Sequence, residues 1–190
     1  MENSKIKKIS DKVWKLDCGS NLYLLELDEI VVIDTGIRSC GDSIQTFLSK
    51  VCPLDKVKHV IFTHLHYDHV GNFDRFSGAR FYASKEAMMD FKRDPAGTVL
   101  KEDIAEKLGN IELSPAEDLL GLKIISTPGH TRGSICIWYE EERILFSGDT
   151  MLGGGLGRTD LPTSVPEEMQ PTVMRLLKLN HKILCPGHDY

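Results

Sequence analysis

Apolar residues fall along this chain in short runs separated by turn-forming clusters, and the spacing within the runs changes from one segment to the next. Val13–Leu16, Leu22–Leu27 and Ile30–Ile33 are rich in β-branched and large aliphatic side chains, so they predict a strand meander that stops at Asp34-Thr35-Gly36. From Ser43 to Val51 the spacing turns helical, whereas Val57–Thr63 is a nearly continuous apolar run, as expected of a buried strand. Arg80–Ser84 predicts a further strand, and Lys85–Lys92 the helix after it. Residues 94–115 are the least regular stretch, charged, with amphipathic pieces such as Glu102–Leu108, and predict a surface excursion able to serve as a lid. Strands follow at Leu122–Ser126, Ile135–Tyr139 and Ile144–Ser147. A glycine-rich loop then leads to a helix from near Pro166 and a last strand, Lys182–Pro186.

The pattern partly repeats. Ser20–Thr35 matches Ser134–Thr150 with a one-residue insertion, each a hairpin closing on Asp-Thr, at Asp34 and at Asp149. Val60–His64 is echoed by Ile183–His188, an apolar strand that again ends near a histidine. Two similar halves predict an α+β fold with two sheets packed face to face, helices outside, and a site at the shared edge where strand ends converge.

Composition narrows the setting. At 190 residues, 41% hydrophobic and 27% charged, the chain is long enough for one well-buried core and is read as a single domain, 1–190. Lys and Arg total 23 against 28 Asp and Glu, a net charge of −5, so there is no global positive field to attract nucleic acid. Met1–Lys8 leads into no apolar core of signal-peptide length, and no segment reaches a membrane span; the expectation is a cytoplasmic protein without a membrane partner. The five cysteines, Cys18, Cys40, Cys52, Cys136 and Cys185, include no CxxC pair. They are expected to be small buried residues in a reducing compartment rather than a disulfide framework. Oligomeric state leaves no mark on the sequence.

Chemistry concentrates at His64-Leu65-His66-Tyr67-Asp68-His69, three imidazoles and a carboxylate directly after an apolar strand. Neutral imidazole nitrogen and carboxylate oxygen are what zinc, iron and manganese accept. Three more candidates stand at predicted strand ends: His130 in Thr127-Pro128-Gly129-His130, Asp149 in Gly148-Asp149-Thr150, and His188 in Pro186-Gly187-His188. Alone, such a His is a solvated turn residue and such an Asp a turn former or N-cap. At the ends of successive strands they can converge on one point.

HxHxDH followed by isolated His, Asp and His resembles the signature of the metallo-β-lactamase superfamily, over nearly the whole chain. The resemblance implies an αββα sandwich of two mixed sheets with outer helices. It implies two divalent ions, zinc first and iron or manganese as alternatives, with His64, His66 and His130 on one, Asp68, His69 and His188 on the other, and Asp149 bridging. Asp34 would orient the ligand loop without touching metal. Two bridged ions share a water and lower its pKa toward 7, and Asp68 would also accept a hydrogen bond from the attacking hydroxide. Asp149 in place of a Cys, with no secretory signal, argues against a true lactamase. His66 where flavodiiron proteins carry Glu argues against that branch, and 190 residues leave no evident room for the arms of RNA-processing members.

The remaining branch is similar to glyoxalase II, through Ser147–Met151, Gly153–Asp160 with Gly157-Arg158, and Gly187-His188. Arg158 is either a substrate contact or the partner of a nearby carboxylate. The chain ends two residues after His188, without the C-terminal helical domain that holds glutathione in full-length glyoxalase II. The resemblance therefore implies a hydrolase of small-molecule thioesters or esters. A thiolate, with a reference pKa near 8.5, leaves without a strong general acid. Tyr67 and Tyr190 are candidate proton donors or substrate contacts. The alternative is a persulfide dioxygenase-like oxidoreductase with one iron on two His and one carboxylate; a non-enzymatic metal or nucleic-acid module is disfavoured by the acidic charge and the full ligand set.

Overall fold

The meander forms from β1 (Ile6–Lys8), β2 (Val13–Cys18), β3 (Ser20–Glu26) and β4 (Ile30–Ile33), paired antiparallel in chain order. Helix α1 (Gly41–Val51) then carries the chain across to β5 (Val57–Ile61), parallel to β4, and β6 (Arg80–Ala83) and β7 (Leu113–Pro115) add in parallel to complete a seven-stranded mixed sheet. Helices α2 (Tyr67–Val70), α3 (Lys85–Arg93), α4 (Pro95–Val99) and α5 (Glu102–Leu108) fill the connections. The second sheet holds β8 (Leu122–Ser126), β9 (Ile135–Tyr139) and β10 (Ile144–Gly148), antiparallel, with β11 (Ile183–Pro186) returning through α6 (Pro166–Leu176) parallel to β10. This computed structural model describes residues 6–190; residues 1–5, part of the N-terminal segment read for a leader, lie outside the described residues.

The repeat is visible in the connectivity: β3, β4, crossover, β5 in one sheet and β9, β10, crossover, β11 in the other. Alternation along each strand separates the layers. On β3, Leu22 and Leu24 join the helices through Ile44, Phe47 and Leu48 of α1, while Tyr23 and Leu25 face the second sheet. On β10, Ile144 and Phe146 face the first sheet and Leu145 meets Leu176 of α6. Three buried clusters between four layers make an αββα sandwich. The inner strands β3, β9 and β10 bury both faces, which is why they read as apolar runs rather than alternating ones.

Two expectations need correction. Residues 94–115 are not a loose surface excursion: Val99, Ile104, Ala105 and Leu108 are buried in the core between the first sheet and its helices, so α4 and α5 form a fixed wall. Cys18 and Cys40 are joined in a disulfide across a Cα–Cα distance of 5.6 Å. Cys52, Cys136 and Cys185 are free, the last two buried as expected. Among the described residues no helix is long and apolar enough to cross a membrane.

Candidate metal centre

Strand ends at one edge of the sandwich deliver every candidate ligand. Beyond β5 the chain passes Thr63 and places His64 and His66 just before α2, whose single turn carries Asp68 and His69. His130 lies between β8 and β9, Asp149 directly after β10, and His188 two residues after β11. Gly187 lets the last two come together, because a Cβ there would overlap Asp149 Oδ1 and approach His69 Cε1 to 2.8 Å.

The structure brings all seven into one cluster. His130 Nε2 is 3.0 Å from His66 Nδ1 and 3.3 Å from His64 Nε2. Asp68 Oδ2 is 3.3 Å from His188 Nε2 and 3.9 Å from His69 Nε2. Between these groups sits the Asp149 carboxylate, Oδ1 3.3 Å from His69 Nε2, Oδ2 3.6 Å from His130 Nε2 and 3.5 Å from His188 Nε2. Three triads have ligand atoms within 4.8 Å of one another: His64, His66 and His130; Asp68, His69 and His188; and His64, His69 and Asp149.

Outward-facing contacts set which nitrogen points in. His69 Nδ1 donates to Asp34 Oδ2 at 2.8 Å, His130 Nδ1 to the Arg158 carbonyl at 2.7 Å, and His188 Nδ1 to the Gly19 carbonyl at 2.9 Å. Thr63 Oγ1 donates to Asp34 Oδ2 at 2.7 Å, so its contact with His64 Nδ1 at 3.1 Å must be donated by the ring. In each of these four rings the outward bond occupies Nδ1, so Nε2 is the nitrogen aimed into the cluster. The Nε2 lone pairs of His64 and His130 face each other at 3.3 Å and repel unless a cation lies between them. His69 Nε2 and Asp149 Oδ1 are buried and without a hydrogen-bond partner, a cost that coordination would remove. The donor set therefore fits divalent metal ions.

Electrostatics divides the cluster. Burial, reinforced by the neighbouring rings, pushes His64 well below the usual imidazole value and His66 down to about 3. His130 is lowered too, by burial that its contacts with Asp149 and the Arg158 carbonyl only partly offset. His69 and His188 go the other way. Burial opposes their charge, but Asp149 and Asp34 raise His69 well above its usual value, and Asp68 and Asp149 raise His188. Asp68 and Asp149 are held low against their own burial by His188 and His69. Three rings are thus neutral acceptors and two carry protons that a metal would displace.

Asp34 lies behind the ligands, accepting from the Thr63 backbone N–H at 2.8 Å, the Thr63 hydroxyl and His69. Thr63 itself was not anticipated, although its place between the strand and His64 is a readable signal. Ser20, whose hydroxyl donates to the Asp68 carbonyl at 2.7 Å, left no such signal. The Arg158 guanidinium holds Asp160 through two contacts of 2.9 Å, while its carbonyl orients His130. Tyr67 and Tyr190 line the cavity above the cluster, whose volume is about 460 Å³.

Comparison with known proteins supports the same reading. The profile of the Metallo-beta-lactamase superfamily matches residues 16–188. The Beta-lactamase-like protein 2 homolog of Caenorhabditis elegans is 32% identical over 199 residues, covering 96% of this chain and 63% of that protein. A Hydroxyacylglutathione hydrolase of Synechococcus is 35% identical over 152 residues, covering 75% of this chain and 54% of that protein. A crystal structure in a di-iron-bound form superposes with a TM-score of 0.72 at 25% identity, over 90% of this chain and 88% of the other. The chain thus spans a little over half the length of the two curated relatives.

Proposed function

The chain belongs to the metallo-beta-lactamase superfamily, and on that premise we propose that it is a metal-dependent hydrolase of small-molecule thioesters or related esters. His64, His66 and His130 would hold one ion, Asp68, His69 and His188 a second, with Asp149 between them and zinc the first choice of metal. The observation that carries this is the convergence of two ligand triads on one carboxylate beneath an open cavity. When bound, two such ions supply Lewis acidity and an acidified water.

The chain's own residues supply the rest. Asp68, held ionised by His188, can bind and accept a hydrogen bond from the attacking group at the cavity floor. Tyr190 is largely exposed, and slight desolvation with the carboxylates of Asp149 and Asp68 raises its hydroxyl, so it stays protonated and can donate to substrate. A thiolate leaving group asks for no stronger acid than these. The Synechococcus relative, named for a glutathione thioester, favours this class of bond.

Purified protein loaded with zinc is expected to hold up to two ions per chain and to hydrolyse thioesters. Less than one zinc, iron or manganese per chain, with no activity gained on metal addition, would overturn the proposal. Oxygen uptake by iron-loaded protein with glutathione persulfide, without thioester cleavage, would favour the dioxygenase instead.

Metal uptake should also depend on pH in a defined direction. His69 and His188, with raised values, must release Nε2 protons to coordinate, so affinity at Asp68, His69 and His188 grows as pH rises through those values. His64, His66 and His130 are neutral already and should fill first. Equilibrium dialysis against zinc is expected to show the number of ions per chain rising toward two as pH is raised. A stoichiometry unchanged by pH would show that the two triads do not differ in proton load.

A further inference from the structure

The cavity above the ligands has walls of another character. Leu100, Leu152, Leu156 and Leu161, with Tyr67 and Tyr190, enclose its space of about 460 Å³. Leu156 is 49% exposed, a large apolar side chain left in water at the mouth. Leu100 closes α4 at φ 62°, ψ 17°, a left-handed conformation that glycine adopts freely and leucine only under strain. A strained leucine on the wall of a cavity points to a use for its side chain. Arg158, the arginine of this wall, is paired with Asp160 through two contacts of 2.9 Å on the exposed side of the loop. Lys101 holds its ammonium 5.9 Å from the ring of Tyr67, one of the cavity's lining residues. Such a site suits a ligand with an apolar body and one polar end at the ligand cluster.

Resting on the hydrolase reading above, we propose that the group this cavity selects is an apolar acyl chain, with Leu100 and Leu156 as specificity-determining residues, and that a charged thiol carrier contributes little to recognition. The carbonyl end lies toward Asp68, Asp149 and His188, and the chain runs between the leucines toward the mouth. Leu100→Gly removes the side chain while relieving the backbone strain, so it tests the contact without threatening the fold.

Two measurements on zinc-loaded protein decide the matter. One is kcat/KM for acetyl, butanoyl, hexanoyl and octanoyl thioesters of the neutral thiol N-acetylcysteamine, beside the same acyl groups on glutathione. The other is calorimetric binding of acetate, butanoate, hexanoate and octanoate. Each added methylene is expected to improve both by roughly two- to fourfold until the cavity is full. Leu100→Gly and Leu156→Ser should each reduce the octanoyl-to-acetyl ratio by roughly five- to tenfold, and glutathione should give no advantage above about threefold. Octanoate binding no tighter than acetate, ratios unmoved by both variants, or a glutathione advantage above tenfold would each overturn the inference. Carboxylate binding that strengthens with chain length and weakens in both variants, with no thioester cleaved, would sustain the cavity's role and refute the hydrolase.

Discussion

Replacing Asp149 by alanine is expected to empty both triads together and to lower kcat/KM of the proposed thioester hydrolysis by roughly a thousandfold or more, the loss of about 4 kcal/mol of transition-state stabilisation. The carboxylate reaches both sides of the cluster: Oδ1 stands 3.3 Å from His69, and Oδ2 lies 3.6 and 3.5 Å from His130 and His188. With Asp34 it keeps His69 basic, and after Asp68 it helps keep His188 so. Without it those rings lose protons more readily, which favours metal, but each ion loses a shared ligand, which costs far more. Asp149→Asn keeps the volume and removes the charge, so it separates coordination from packing. The expected order of bound zinc is wild type above Asn above Ala, read by elemental analysis after dialysis. Two full equivalents retained in Asp149→Ala would show that each triad holds its ion alone and that the bridge is wrongly placed.

Much of this site was legible because the fold writes it at strand ends. β3, β5, β9 and β10 are buried on both faces, so each appears as an apolar run, and the first polar residues beyond β5 and β10 are where the ligands stand. The duplicated hairpins made Asp34 and Asp149 equivalent in sequence. The structure separates them: Asp149 turns into the cluster, while Asp34 turns back onto Thr63 and His69.

What stayed hidden depends on distances between segments or on weak local signals. β1 is exposed at all three positions and β7 has only three residues, so neither shows a period. The wall formed by α4 and α5 is broken by the left-handed Leu100, which interrupts the helical spacing of Val99, Ile104 and Leu108 and makes a packed segment look irregular. The Cys18–Cys40 link joins the end of β2 to the loop beyond Asp34, a proximity created by the antiparallel pairing of β2, β3 and β4. No cysteine spacing announces it. For Arg158 the sequence left open a substrate contact or a carboxylate partner; the structure shows its guanidinium on Asp160 and its carbonyl on His130.

Asp34→Ala and Asp34→Asn are expected to fail in different ways, and the difference isolates what this residue does. Asp34 is 2% exposed and accepts from three buried donors, the Thr63 N–H, the Thr63 hydroxyl and His69 Nδ1. Alanine leaves all three unpaired and also puts a Cβ-bearing residue without a polar side chain at φ 56°, so unfolding stability should fall by about 3 to 4 kcal/mol. Asparagine tolerates that backbone and fills the same space, and its oxygen can still serve one side of the cradle. Its amide N–H2 then faces donors on the other. If it faces His69, the ring must move its proton to Nε2 in order to accept at Nδ1, and the nitrogen aimed at Asp68 and Asp149 is no longer a ligand. If it faces the Thr63 N–H, that buried donor is left unpaired and the turn into His64 loosens. Asp34→Asn is therefore expected to keep most of its thermal stability yet bind zinc about 10- to 100-fold more weakly, most of it lost from Asp68, His69 and His188. The 15N shifts of His69 should report the proton on Nε2. Wild-type zinc affinity in Asp34→Asn, with His69 still protonated on Nδ1, would show that Asp34 braces the turn and leaves the choice of ring nitrogen to other contacts.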